Sequence, residues 1–300
     1  MSPRHSDYAR LPTERPNPRA RGLDRRPVLE LVRLLNAEDA LVAAAVGRQA
    51  RSIAQGVELI RRAIRAGGGV VFIGAGPSGR LGVLEAAECP PPFNTTPRQV
   101  RAVMAGGKFA VFRSKEGAED DAGAGARAMD AVGSSDVVVG IAASGVTPFV
   151  RGALERAKRN GCPTILVTSN ARPKGSPARV IIAPRVGPEV LAGSTRLKCG
   201  TAAKLVLNTL TTAAMIGLGK VYDHWMVDLL PSSRKLRLRG ERIVAQLGRV
   251  EPARARRLLV STKGKVKEAV VMARLGGDAA GARRRLKLAA GSLRHALGEK

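Results

Sequence analysis

Two glycine-rich segments have the composition of loops that bind a phosphate group. GAGPSGR, residues 74–80, follows an apolar run at 70–73, and GIAASGVTP, residues 140–148, follows another at 137–139. In both segments a Ser-Gly pair lies between a predicted strand and a predicted helix. Glycine lets the backbone approach an anion closely, the helix start offers unpaired N–H groups, and the serine hydroxyl is a neutral donor. The residues predicted to bind phosphate here are Gly76, Ser78, Gly79, Ser144, Gly145 and Thr147.

The two segments differ from the common nucleotide-binding loops. No GxxxxGK[ST] string occurs, and although the first segment fits GxGxxG, no acidic residue ends the next predicted strand to hold a ribose. One such segment is often only a structural turn, but two with matching Ser-Gly pairs favour phosphate binding. A third candidate is Ser194 with Thr195, which are either further phosphate ligands or capping hydroxyls of the helix that follows.

Two acidic positions could supply acid–base chemistry. Glu88 lies on the last turn of a predicted helix that Cys89 and three prolines end. A carboxylate there meets the negative end of the helix dipole, which disfavours its charged form and favours a protonated acid. The cluster EGAEDD at 116–121 either forms a solvated helix face or contains a base, because neighbouring carboxylates disfavour one another's ionisation. On these residues alone, both positions remain compatible with ordinary exposed carboxylates.

The net charge of +27 would attract nucleic acid, anionic lipid or a phosphorylated ligand. Residues 231–300 hold 19 Lys/Arg against 5 Asp/Glu, whereas residues 61–230, which carry the motifs, hold 22 against 12. With only eight aromatic residues, a surface that stacks bases is poorly supported, and no nucleic-acid-binding motif is present. We therefore interpret the excess charge as solvated helix faces and do not expect a nucleic-acid partner.

Other residue types argue against a metal centre, a disulfide framework and a membrane span. Cys89, Cys162 and Cys199 lack CxxC spacing, and the three histidines are scattered along the chain. The N-terminal residues have no apolar segment of the signal-peptide type, and the apolar stretch at 205–218 is short for a membrane span. We expect a cytoplasmic protein that uses no metal.

The elements that must position these residues alternate between strand and helix. Strands are predicted at 70–74, 99–104, 136–141, 164–168 and 180–183, and helices at 79–88, 108–130, 148–160 and 198–218. Continuous apolar strands separated by helices indicate a doubly wound α/β fold with a mostly parallel, five-stranded sheet. In such a sheet, ligands bind at the carboxyl ends of the strands, where both glycine-rich segments would lie.

Four segments are expected along the chain. Residues 1–27 form a polar N-terminal arm, 28–230 the α/β domain, 231–249 a linker helix and 250–300 a small helical bundle. Within the second segment, residues 28–66 have helical spacing with a break at 36–39, where Asn36 would act as a cap. The phosphate loops and both acidic positions therefore fall in the second segment.

Five long strings occur in the order in which one known family carries them. They are LNAEDALVAAAV, GAGPSGRLGVLEAAECPP, EGAEDD, GIAASGVTPF and GPEVLAGSTRLKCGTAAKLVLNTLTTAAMIGLGKVYDHWMVDL. These strings resemble the N-acetylmuramic acid 6-phosphate etherases, bacterial enzymes of the sugar isomerase (SIS) fold group. The resemblance runs from about residue 11 to residue 243 and more loosely to the end. It implies a flavodoxin-like SIS domain, a C-terminal helical bundle and a homodimer with shared sites.

The resemblance also implies a reaction, in which the lactyl ether at C3 of N-acetylmuramic acid 6-phosphate is cleaved without cofactor or metal. A base removes the C2 proton of the ring-opened sugar, an acid protonates the departing lactate oxygen, and water adds to the unsaturated aldehyde. Glu88 matches the glutamate interpreted as the proton donor. Glu119 matches the other catalytic position, with Asp120 beside it as a rival for the base. Phosphate contacts would come from Ser78, Ser144 and residues 194–195.

Two positions depart from the family's pattern. Pro77 replaces the usual Thr or Ser, which removes a hydroxyl and an N–H group, and Val146 replaces the usual Arg, which removes a cation. Both changes bear on ligand affinity more than on chemistry, since Glu88 and Glu119 remain. The alternative is a non-catalytic, sugar-phosphate-sensing regulator on the same fold, which would keep the loops and tolerate loss of the carboxylates.

Overall fold

Five short apolar runs form one parallel β-sheet. The computed structural model describes residues 11–171, 173 and 175–299, so the first ten residues of the arm predicted at 1–27 lie outside the described part. The strands are β1 (Val70–Gly74), β2 (Val100–Met104), β3 (Val137–Ile141), β4 (Thr164–Val167) and β5 (Val180–Ile182). Their order is β2-β1-β3-β4-β5 and every neighbouring pair is parallel. This confirms the predicted doubly wound α/β fold and puts the topological switch point between β1 and β3.

Helices connect and follow the strands. Those before or between strands are α1 (Val28–Gly47), α2 (Ala50–Arg65), α3 (Gly76–Glu88), α4 (Pro90–Phe93), α5 (Ala122–Arg127) and α6 (Pro148–Arg159). After the sheet come α7 (Lys198–Gly217), α8 (Arg234–Gly248), α9 (Pro252–Ser261), α10 (Val266–Leu275), α11 (Ala279–Leu288) and α12 (Leu293–Ala296). Single 3-10 turns lie at Pro12–Glu14, Pro18–Ala20, Leu23–Arg25 and Lys108–Val111. Among the described residues, no helix combines the length and apolar character that a membrane crossing requires.

The described chain divides into two compact units. The first contains residues 11–86 and 98–211, and the second contains residues 87–97 and 212–299. The boundary falls within α3 and α7. The four predicted segments, with limits at 27, 230 and 249, stay predictions.

The core of the first unit consists of the strands and the helix faces that cover them. β1 and β3 are buried along their whole length, which is why both read as continuous apolar runs. Val71 and Val138 on the strands pack in one apolar cluster with Leu154 of α6. The apolar stretch predicted as a buried helix at 205–218 lies in α7, where Leu207 and Leu210 are fully buried.

The second unit has its own apolar cluster. Val227 and Leu229 pack there with Val244 of α8, Leu259 of α9 and Val270 of α10. Its surface is rich in arginine and lysine, and some of these charges form exposed ion pairs such as Arg256 with Glu241 at 3.2 Å. Exposed pairs of this kind contribute little to stability, so the apolar cluster holds this unit together.

The predicted helix break at 36–39 is wrong, because α1 continues through it to Gly47. The polar string that suggested a loop contains Glu38, which is 3% exposed and ion-paired. Glu38 is therefore a buried helix residue whose charge is paired with Lys198. The helix itself ends at Gly47, shortly before α2.

The predicted helix at 108–130 is also wrong. The structure has a 3-10 turn at Lys108–Val111, irregular turns to residue 121, and only six helical residues in α5. Gly117 has φ of +73°, a value that interrupts a right-handed helix. This glycine therefore breaks the helix that was predicted across it.

Candidate functional site

The first glycine-rich segment forms a tight turn between β1 and α3. Gly76 has φ of +51°, in the left-handed region that favours glycine. A Cβ on Gly79 would come within 2.6 Å of the Gly74 carbonyl oxygen, so the strand end and the helix start need glycine to approach each other. Pro77 lies in the first turn of α3, where a backbone N–H has no partner within the helix. Its ring therefore removes a potential anion donor without breaking a helix hydrogen bond, and half-buried Ser78 follows it.

The second segment forms the corresponding turn between β3 and α6. Gly145 has φ of +76°, and a Cβ there would lie 2.9 Å from the hydroxyl oxygen of Thr168. The N–H of Val146 donates to Ser144 Oγ at 3.2 Å, which shapes the turn. Thr147 is the N-cap residue of α6, but its side chain makes no capping hydrogen bond, so its hydroxyl is available to a ligand.

The two turns meet at one small cavity of the first unit. Its lining includes Ser78 from the first turn, Ala143 from the second, Thr168 and Ser169 from the turn after β4, and Cys199 from α7. Burial raises the pKa of the Cys199 thiol to about 12, which makes this residue a poor nucleophile at neutral pH. The structure thus brings both predicted phosphate loops together. It adds the hydroxyls of Thr168 and Ser169, which were not among the predicted ligands, although their position at the end of a predicted strand was a usable signal.

Ser194 and Thr195 lie half-buried in the loop before α7, and neither lines that cavity. The start of α7 is capped by Glu189, whose fully buried carboxylate accepts hydrogen bonds from the N–H groups of Lys198 at 3.1 Å and Cys199 at 2.9 Å. The helix therefore does not depend on either hydroxyl for these bonds. Phosphate binding by Ser194 and Thr195 stays a prediction.

A buried ion pair joins α1 to the start of α7. The Lys198 ammonium lies 2.5 Å from the Glu38 carboxylate, and both side chains are almost fully buried. Asn17 and Arg19 donate to the same carboxylate at 2.9 and 2.8 Å. Burial alone would raise the pKa of Glu38, but the hydrogen bond and charge of Lys198, aided by Asn17 and Arg19, hold that pKa below its usual value. The carboxylate is therefore ionised at neutral pH and needs its partners.

Replacing Lys198 should destabilise the fold strongly. Lys198→Met fills similar space but leaves the buried Glu38 charge without its main partner, a change that costs about 3–5 kcal/mol of unfolding free energy. The loss should shrink at acid pH, because without Lys198 burial raises the pKa of Glu38, so the carboxylate of the variant takes up a proton at a higher pH than that of the wild type. Urea unfolding at pH 7 and pH 4 measures both effects, with the exposed Lys108→Met as control. Equal midpoints for Lys198→Met and wild type at pH 7 would contradict this account.

Glu119 is held at the start of α6 by its backbone. The Glu119 carbonyl accepts a hydrogen bond of 2.9 Å from the N–H of Phe149, and its side chain is exposed. Close packing of α5 on α6 fixes this arrangement, because a Cβ on Gly125 would lie 1.9 Å from the Phe149 carbonyl oxygen. Of its acidic neighbours, Asp121 caps α5 by accepting from Ala124 N at 2.7 Å, while Asp120 is exposed. The structure thus gives Asp121 a structural role and leaves Glu119 and Asp120 as candidate bases.

Glu88 is the last residue of α3 and its side chain is exposed. Cys89 follows it, and the short helix α4 begins at Pro90, so the prolines end α3 as predicted.

Sequence analysis missed a buried carboxylate, Glu85, one turn before Glu88. Its side chain accepts hydrogen bonds from the Thr211 hydroxyl at 2.5 Å and from Lys204 Nζ at 3.2 Å. Lys204 and Thr211 are two helical turns apart on one face of α7, so the two contacts fix the rotation of α3 about its own axis. The sequence gave no sign of these contacts, because Lys204 and Thr211 lie more than a hundred residues after Glu85.

Known proteins resemble this chain over most of its length. The N-acetylmuramic acid 6-phosphate etherase of Salinibacter ruber is 48% identical over 291 residues, which cover 96% of this chain and 94% of that protein. The etherase of Symbiobacterium thermophilum is 52% identical, covering 83% of this chain and 84% of that protein. A family model described as the glucokinase regulatory protein N-terminal SIS domain matches residues 52–158. A solved phosphoheptose isomerase from Francisella tularensis is 16% identical, covering 62% of this chain and 98% of that chain, with a TM-score of 0.46.

Proposed function

Because this chain belongs to the family of N-acetylmuramic acid 6-phosphate etherases, we propose that it cleaves the D-lactyl ether of N-acetylmuramic acid 6-phosphate. The products are N-acetylglucosamine 6-phosphate and D-lactate, so the protein is a carbon–oxygen lyase of amino-sugar recycling. The observation that carries this proposal is the 48% identity that extends over 96% of the chain. The match to a regulatory protein's domain covers only residues 52–158, which gives the regulator alternative much less support.

The reaction is an elimination followed by a hydration. Removal of the C2 proton is possible because the aldehyde at C1 of the open-chain sugar stabilises the resulting carbanion. The C3–O bond then breaks, the ether oxygen leaves with lactate and takes up a proton, and water adds its oxygen at C3. These steps need one base and one acid but no change of oxidation state in a cofactor.

Glu88 and Glu119 are the groups we assign to the proton transfers. Glu88 donates the proton to the departing lactate oxygen, and Glu119 removes the C2 proton. Both side chains are exposed, which suits groups that must reach a substrate entering from solvent. Asp120 is the rival base, because it is the neighbouring exposed carboxylate.

The phosphate group of the substrate binds at the two glycine-rich turns. Support comes from the position of both turns at the carboxyl ends of β1 and β3, beside the topological switch point of the sheet. Backbone N–H groups and hydroxyls supply the contacts there, with no cation from Val146. The proposed ligands are Gly76, Ser78, Gly79, Ser144, Gly145, Thr147, Ser194 and Thr195.

A homodimer with shared sites follows from the same family relationship. A candidate contact surface is the apolar stripe of α1 at Val28, Val32 and Leu35, which are 76%, 56% and 39% exposed. Apolar side chains at i, i+4 and i+7 form a continuous strip, and burying such a strip is favourable.

Light scattering checks the dimer. The wild type should have about twice the chain mass of 31.5 kDa, and Val32→Glu should shift the population toward the monomer because it buries a charge in the contact. Arg33→Glu, on an adjacent exposed position, is the control. A wild-type mass of 31.5 kDa at micromolar concentration would contradict the proposed dimer.

The proposed function also implies a place in the cell. Its sugar-phosphate substrate is charged and does not cross a membrane unaided, so we infer that the protein works in the cytoplasm. The test of the function itself is D-lactate release from N-acetylmuramic acid 6-phosphate by the purified protein. Binding of the substrate without any release would favour the regulator instead.

A further inference from the structure

One backbone carbonyl in the second phosphate turn is held by three donors. The Ala143 oxygen accepts hydrogen bonds from the backbone N–H of Ser169, the hydroxyl of Thr168 and the amide Nδ2 of Asn170, each at 3.0 Å. All three donors come from the turn after β4. Two side chains and one backbone group therefore fix the orientation of a single peptide unit.

That peptide unit also contains the N–H of Ser144. Since a peptide is planar and trans, its carbonyl and the following N–H point in opposite directions. Three donors on the Ala143 oxygen thus direct the Ser144 N–H away from the turn after β4. Hydrogen bonding at the carbonyl also polarises the N–H and makes it a better donor to an anion.

Asn170 connects this peptide to the N-terminal arm. Its Nδ2 also donates to the hydroxyl of Thr13 at 3.3 Å, and both residues are at least 98% buried. Asn170 Oδ1 is buried and has no hydrogen-bond partner among the described residues. Because the Ala143 carbonyl only accepts, the amide must turn its nitrogen toward it, and the unmatched oxygen is the cost of that orientation.

The arm itself is anchored to the first unit at a second point. Asn17 donates to Glu38 at 2.9 Å and to the Pro188 carbonyl at 3.3 Å, and the Glu38 carboxylate is the one paired with Lys198. The arm is therefore anchored, four residues after Thr13, by contacts that do not involve the phosphate turn. A fixed hydroxyl at this position can in turn hold Asn170.

We propose that Asn170 is a positioning residue that couples the N-terminal arm, through Thr13, to the orientation of the Ser144 N–H in the phosphate turn. The inference rests on the proposed assignment of this turn to the phosphate group. Asn170 acts through the Ala143 peptide and does not contact the substrate. Its loss should weaken phosphate binding and leave the proton transfers by Glu88 and Glu119 unaltered.

The test measures binding and backbone protection directly. Asn170→Ala should weaken calorimetric binding of N-acetylglucosamine 6-phosphate about tenfold, and Thr13→Val about threefold, as expected for one hydrogen bond lost in a buried site. Amide exchange of the peptide 140–148 should be faster in both variants before ligand is added. In turnover, KM should rise by the same factors with kcat unchanged. Thr209→Val, which removes an exposed hydroxyl on α7 that donates to the Leu205 carbonyl, is the matched control.

Two outcomes would overturn the proposal. One is wild-type affinity and wild-type exchange in Thr13→Val, a variant mild enough to decide the question if Asn170→Ala does not fold. The other is a fall in kcat without a change in affinity. Weaker binding and faster exchange in the variants, together with a wild type that releases no D-lactate, would support the coupling and refute only the etherase reaction.

Discussion

Glu88→Gln is expected to lower kcat for D-lactate release by about a thousandfold or more, as befits removal of a general acid. Glutamine has the same shape but cannot deliver a proton to the departing lactate oxygen. Because Glu88 is exposed, the substitution should change the unfolding free energy by no more than about 0.5 kcal/mol. Binding of N-acetylglucosamine 6-phosphate should persist, since the phosphate turns are untouched. Steady-state kinetics and calorimetry on the same preparation measure both quantities.

The control for Glu88→Gln is Glu251→Gln, an exposed glutamate in the same unit whose side chain makes no capping hydrogen bond. It should retain full activity. If Glu88→Gln released D-lactate at the wild-type rate, Glu88 would not be the proton donor. The family relationship would stand in that case, and the acid would have to be sought elsewhere.

Glu119→Gln is expected to abolish D-lactate release and also an isolated half-reaction. A base that removes the C2 proton should exchange that hydrogen of N-acetylglucosamine 6-phosphate with deuterium from solvent, even when no lactate is present. Glu119→Gln should lose this exchange, whereas Glu88→Gln should keep a large part of it, because exchange needs no acid at the lactate oxygen. Proton NMR in D2O follows the C2 signal directly.

Two neighbouring carboxylates serve as comparisons for Glu119. Glu116→Gln, at an exposed position of the same cluster, should exchange at the wild-type rate. Asp120→Asn separates the rivals, because it should be mild if Glu119 is the base. Normal C2 exchange in Glu119→Gln combined with its loss in Asp120→Asn would move the role of base to Asp120.

The sheet could be predicted from the sequence because its strands are buried on both faces. Val70, Val71, Phe72 and Ile73 form an unbroken apolar run, and the same holds for Val137, Val138 and Val139. Parallel strands need crossover connections, which are usually helices. The glycine-rich turns, which link a strand to the helix after it, therefore lie at the carboxyl edge of the sheet. Local pattern was sufficient for these features.

Local pattern failed where a distant partner or a glycine determined the structure. Glu38 looked like part of a loop until Lys198, 160 residues later, was seen to pair with it. The expected helix at 108–130 is interrupted by Gly117, whose positive φ no composition average reveals. A helix propensity summed over many residues does not show that one glycine in an alanine-rich segment ends the helix.

The candidate site shows the same division. Ser78 and Ser144 could be selected because their loops repeat a pattern that has a direct physical meaning. Asn170 and Glu189 could not be selected from the sequence. Each forms hydrogen bonds with backbone groups of another segment, and the residues around it do not indicate those partners. Glu88 and Glu119 were selected because both lie in strings that match the family's motifs.

Reaction in water enriched in oxygen-18 tests the central claim most directly. Elimination followed by hydration breaks the C3–O bond on the sugar side, so the ether oxygen leaves with lactate and a water oxygen enters at C3. Mass spectrometry should find D-lactate without label and N-acetylglucosamine 6-phosphate with label at C3. The label at C3 must be measured separately from that at C1, because the C1 aldehyde oxygen exchanges with water without the enzyme. Label in the lactate hydroxyl, or no D-lactate at all at saturating substrate, would contradict the account.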